Sequence, residues 1–109
     1  MLDEQQFKLK ADGELDRLFR DLADASDQHE FECDFDGAVK VEFEDPPAKF
    51  VVSPNAPVRQ IWVSAHSKSF KLDWDPARDQ FVLTDTGQTL HELMAEAVTK
   101  QIGETVTLG

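Results

Sequence analysis

Glu30-Phe31-Glu32-Cys33-Asp34-Phe35-Asp36-Gly37-Ala38-Val39-Lys40-Val41-Glu42-Phe43 is the stretch on which the fold turns. Phe31, Cys33 and Phe35 alternate with Glu30, Glu32 and Asp34, the pattern of a half-buried strand whose outer face is entirely acidic. Asp36-Gly37 signals a tight turn. Val39, Val41 and Phe43 then alternate with Lys40 and Glu42 in a second strand. Upstream the period is different. Phe7, Ala11, Leu15, Leu18, Leu22 and Ala25 recur at helical spacing and make one apolar face. Asp3 is placed to cap this helix, with Gln6 at the capping-box position. Gly13 weakens its first half slightly. The pattern fades at Ser26-Asp27-Gln28.

Downstream, Pro46-Pro47 breaks the second strand. A third is expected over 49–53, ended by Pro54-Asn55-Ala56-Pro57, and a fourth over about 59–65. A fifth has Phe70, Leu72 and Trp74 on one face, and a short sixth lies near 80–83. Asp85-Thr86-Gly87 turns the chain, and Thr89-Leu90-His91-Glu92 is a capping box opening a second helix. Leu90, Leu93, Met94, Ala97 and Val98 form its apolar stripe, and Gly103 is expected to stop it. Short links between successive strands favour an antiparallel meander. Each helix has a single apolar face, so both pack on the same side of the sheet and leave the other side to solvent. The expected fold is α+β: a two-layer α/β sandwich whose antiparallel sheet of five to six strands is covered on one face by N- and C-terminal helices. The 109 residues fit a single domain, 1–109.

The charge is uneven. The net charge is −11, but residues 1–45 hold 15 acids against 5 bases, and the remainder is nearly balanced. Such asymmetry points to cations or a basic partner and argues against nucleic acid, whose phosphates would be repelled. No apolar run is long enough for a membrane span. The acidic, polar start (Met1 to Gln6) resembles neither a signal peptide nor a transit peptide, so a cytoplasmic location is expected, or a mitochondrial matrix one if a transit peptide was removed. Cys33 is the lone cysteine, which excludes an internal disulfide and a CxxC zinc site, and His29, His66 and His91 show no ligand spacing.

Asp12, Asp16, Asp21 and Asp24 lie mostly off the helix's apolar stripe, Asp27 follows, and Glu30, Glu32 and Asp34 line one face of the first strand. Carboxylates about 6.5–7 Å apart along a strand cannot all grip one ion. They form a row of shallow, mostly monodentate sites that suit hard cations such as Ca, Mg, Mn and iron. On the residues alone, a merely solvated acidic face stands beside this reading. In the fourth strand the alternation leaves two registers open, one with Trp62 outward and one with it in the core. An outward Trp62 beside Gln60 and Ser64 reads as an interface anchor. Cys33, between Phe31 and Phe35, reads as a buried core residue and not as a nucleophile. His91, at the second position of its helix, reads as a cap or an exposed residue. His29 reads as an exposed loop histidine, with a nitrogen ligand beside Glu30 as the alternative. No nucleophile elbow, phosphate-binding glycine loop or HExxH occurs.

Pro57-Val58-Arg59-Gln60-Ile61-Trp62-Val63-Ser64 resembles the P-x-[RKH]-Q-[IV]-W-[LV]-[SA] segment of frataxins. Asp73-Trp74, Thr89 to Leu93, Gly103 to Val106, and the helix segments 15–18 and 21–24 are similar to the family in the same order. The resemblance is to bacterial frataxins and covers nearly the whole chain. It implies a protein that binds iron (Fe2+/Fe3+) weakly, with other divalent cations accepted. It also implies docking on the cysteine desulfurase and the scaffold protein of iron–sulfur cluster assembly, to regulate that process or supply its iron. It favours the cation reading of Asp16, Asp21, Asp24, Asp27, Glu30, Glu32 and Asp34, and the outward register of Trp62. Trp62, Gln60, Ser64, Asn55 and Lys71 become the implied partner interface, with Lys71 read equally as a solvated strand residue. A monomer is expected, with iron-dependent oligomers allowed. The alternative is a ferroxidase-type iron-oxidising or iron-storage protein using the same ridge; otherwise the resemblance implies no conventional enzyme. Two departures stand out. The mid-helix Glu-Glu and Asp-Asp pairs common in bacterial frataxins align with Phe19-Arg20 and Ala23-Asp24, which thins the ridge. The common N-[KR]-Q-x-P entry to the fourth strand is Ser53-Pro54-Asn55-Ala56-Pro57.

Overall fold

The computed structural model describes residues 2–44 and 47–108. Helix α1 (Glu4–Ser26) opens on Asp3, whose carboxylate accepts from the Gln6 N–H while the Gln6 side chain accepts from the Asp3 N–H. Helix α2 (Leu90–Ile102) opens on the matching Thr89–Glu92 box and closes on Gly103, whose φ of 74° is the left-handed cap that favours glycine. Among the described residues six strands lie between the helices: β1 (Glu32–Phe35), β2 (Val39–Glu44), β3 (Pro47–Asn55), β4 (Gln60–Ala65), β5 (Lys68–Asp75) and β6 (Gln80–Leu83). They form one antiparallel sheet in the order β1-β2-β3-β4-β5-β6.

The register puts one apolar set beneath the helices. Val41 pairs with Phe50, Val52 with Val63, Ile61 with Leu72 and Trp74 with Phe81. These residues meet Phe7, Ala11, Leu15, Leu18 and Leu22 of α1 and Leu90, Leu93, Met94 and Val98 of α2 in one core. Helix α1 lies nearest β1 and α2 nearest β6. Aromatic rings thread the core at 4.9 Å for Phe43–Phe50 and 5.2 Å for Trp74–Phe81. The two-layer α+β architecture is the expected one, with six strands.

Several local expectations change. Strand β3 runs beyond 49–53 at both ends, because β2 and β4 supply partners from Pro47 to Asn55. Pro46 lies outside the described residues, and Pro47 begins a strand. Glu30 precedes β1 in a bend and is not part of the strand row. Cys33 is half-buried, because β1 is the edge strand and the helical layer covers it only partly. His91 is neither a cap nor free: it is half-buried and faces α1. Among the described residues no helix is long and apolar enough to cross a membrane.

Candidate functional site

The acidic residues fall into two groups. Asp16 and Asp21 are engaged. Asp16 Oδ2 lies 3.0 Å from an Arg20 guanidinium nitrogen, one helical turn on. Asp21 Oδ2 lies 3.0 Å from His91 Nε2. The other His91 nitrogen is 3.9 Å from Glu14, which is 4% exposed and bound at 2.7 Å by Arg17. Glu14, Asp21 and His91 thus join the two helices. Asp16 and Asp21 are therefore less available to a cation than their positions off the apolar stripe suggest. Helical periodicity places them off the core, but only the approach of α2 shows that Asp21 has a partner.

Asp24, Asp27, Glu30, Glu32 and Asp34 form the second group. All five are exposed, and among the described residues none is within ion-pair distance of a base. They run from the end of α1, through the turn, along β1. Glu32 faces Glu42 across the β1–β2 pair, so the like-charge line continues sideways onto β2, and Asp34 faces Lys40. Glu42 and Glu44 extend the face and did not stand out in the alternation. They join Glu30 and Glu32 around an open depression of about 420 Å³ that His29 also lines. His29 is half-buried, not an exposed loop residue. Among the described residues its Nδ1 has no hydrogen-bond partner, and it sits 3.8 Å from Glu104. Among the described residues no three His, Cys, Asp or Glu side chains converge on one point. An ion on this face would meet one or two carboxylates and keep most of its water, as hard cations allow.

The second surface is the uncovered side of the sheet. Ile61 and Val63 are buried and Trp62 is 37% exposed, which settles the register of β4 with the indole outward. The indole N–H donates to Gln60 Oε1 at 2.9 Å, and Lys71 Nζ stands 5.0 Å from the ring centroid, within cation–π range. Beside the ring, Val51, Ser53, Val63, Ser64, Ser69 and Phe70 line a shallow, mainly apolar depression of about 410 Å³. Ser64 is exposed at its margin, and Asn55, half-buried, pairs with Gln60 at the far end of β3. The five interface candidates thus share one face, whereas the acidic run sits at the β1 edge. Trp74 packs on Phe81 under Lys10, which lies 5.3 Å from the Trp74 ring.

Comparison with known proteins agrees with this architecture. The model of the frataxin-like domain matches residues 1–104. The chain is 34% identical to the iron–sulfur cluster assembly protein CyaY of Janthinobacterium sp., covering 98% of this chain and 96% of that protein. It is 30% identical to the CyaY of Azotobacter vinelandii, covering 83% and 84%. The solved structure of frataxin from Psychromonas ingrahamii superposes with a TM-score of 0.83 at 18% identity, covering 97% of each chain, a likeness of fold. A match over residues 1–104, with relatives at this identity over nearly their whole length, makes this chain a member of the frataxin-like family.

Proposed function

We propose that this protein serves iron–sulfur cluster assembly as a weak iron-binding regulator or iron supplier that docks on the cysteine desulfurase and the scaffold protein. Support comes from the relatives' shared role, as their names give it, and above all from one observation. The carboxylates of Asp24, Asp27, Glu30, Glu32 and Asp34 stand exposed in one run, with no counter-charge in ion-pair reach among the described residues. Unneutralised carboxylates this close raise the energy of the free protein, and a cation or a Lys/Arg-rich surface relieves it. Asp16 and Asp21 each already hold a base on Oδ2, so they contribute less than the other five. Iron is cargo here, held at the surface by oxygen donors. An iron-oxidising reading requires carboxylates gathered around two nearby ions, and the spread of this run does not favour it.

The uncovered sheet face is the second docking surface, with Trp62 as anchor and Gln60, Ser64, Asn55 and Lys71 around it. The test is a pull-down with desulfurase and scaffold, comparing wild type with the triple variant Asp24→Lys/Asp27→Lys/Glu30→Lys. The variant is expected to lose the desulfurase and keep the scaffold. Ferrous titration followed by amide NMR is expected to shift residues 24–34 in fast exchange. Retention of the desulfurase, or shifts scattered away from this run, would contradict the proposal.

A further inference from the structure

Four side chains on the uncovered sheet face form a directed chain that ends on Trp62. The Thr84 hydroxyl donates to Asp73 Oδ2 at 3.0 Å. The other carboxylate oxygen, Oδ1, accepts from Gln60 Nε2 at 3.0 Å. Gln60 Oε1 accepts the Trp62 indole N–H at 2.9 Å. The sheet register sets this up, since Gln60 and Asp73 are cross-strand partners, as are Trp62 and Lys71. Thr84 directly follows β6, the neighbour of β5.

The chemistry permits one direction only. An indole N–H can only donate and an ionised carboxylate can only accept, so the residue between them must do both. Gln60 does so with its amide oriented one way. A glutamate there would meet Asp73 with like charge, and a lysine or arginine could not accept from the indole. Asp73 is in turn fixed from its far side by Thr84, and Lys71 stands over the indole.

We propose that Asp73 and Thr84 are positioning residues for Trp62: through Gln60 they hold the exposed indole in a single orientation, so that it meets its partner already ordered. Ordering a mobile side chain at an interface weakens binding by roughly two- to tenfold, and the chain removes that cost before the encounter. The inference rests on the reading of the Trp62 face as the scaffold-docking surface, but its physical core concerns the free protein.

The experiment uses the 15N-labelled full chain, whose two indole N–H signals belong to Trp62 and Trp74 and are assigned with Trp62→Phe. Indole order parameters and N–H exchange rates are compared in wild type, Thr84→Val and Asp73→Ala, alongside affinity for the purified scaffold protein. Thr84→Val removes only the distant hydroxyl, so it also guards against an effect of lost charge. The expected result is a lower order parameter and faster exchange at Trp62 but not at Trp74, an almost unchanged melting temperature, and scaffold binding weakened roughly two- to tenfold. A Trp62 indole as ordered in both variants as in wild type overturns the proposal. So does a loosened indole with undiminished binding, provided that Trp62→Ala itself loses the scaffold. If Trp62→Ala binds like wild type, the docking reading of this face falls, and the order parameters alone decide the positioning role.

Discussion

Burial holds the Cys33 thiol above its ordinary value of 9.0, and the neighbouring Asp34 carboxylate adds to the shift. The folded chain keeps this proton more tightly than the unfolded chain does. Its contribution to stability is therefore complete below 9.0 and declines as pH rises past that point. Iodoacetamide alkylation of the native chain should accelerate with a midpoint above that of the urea-unfolded chain, and Cys33→Ala should flatten the alkaline decline of the urea midpoint. A native midpoint at or below the ordinary value would contradict this account. The alternation of residues 31–35 correctly set Cys33 inward. It could not show that β1 is the sheet's edge and leaves the thiol half covered. His91 carries the same lesson. Its sequence position near a helix start told nothing of Asp21 at 3.0 Å, because that contact belongs to the packing of α2 on α1.

At the scale of the element, the capping boxes at Asp3–Gln6 and Thr89–Glu92 and the alternation of the first, second, fourth and fifth strands were readable, because each depends on neighbours in sequence. The ends of β3 were not readable, because β2 and β4 determine them. The β4–β5 turn illustrates a cost that the pattern hid. Ala65 pairs with Lys68, so His66 and Ser67 alone make the turn, with φ of 51° and 61°. A two-residue hairpin with both residues left-handed favours Asn-Gly, and a side chain there is strained. Ser67→Gly should stabilise the fold by about 0.5–1 kcal/mol in urea unfolding; a loss of stability would contradict the strain. The acidic face carries a similar tension, because Glu32 opposes Glu42 across β1 and β2. Glu32→Lys replaces repulsion with attraction and should stabilise by about 0.2–1 kcal/mol, while weakening binding of cations and of the desulfurase. A variant that is more stable yet binds equally well would separate the charge row from function.

Across the whole molecule, the charge sits apart from the apolar anchor. The first 45 residues carry nearly all of the net −11, and the fold delivers five of their carboxylates, exposed, along the end of α1 and the β1 edge. Trp62 stands on the open sheet face in β4, three strands from β1 and separated from it by β2 and β3. The charge asymmetry was visible in composition. Its division into engaged and free carboxylates was only partly so: Asp16 and Arg20 stand one helical turn apart in sequence, whereas His91 reaches Asp21 only when α2 packs on α1. Self-repulsion on this face also predicts that the melting temperature rises with added sodium chloride and rises less in Glu32→Lys, as thermal scans can check. Desulfurase affinity measured by calorimetry from low to high salt probes docking through the acidic run. Docking through the unneutralised run from Asp24 to Asp34 predicts a steep loss of affinity as salt is added, and a dissociation constant that stays the same throughout would contradict it.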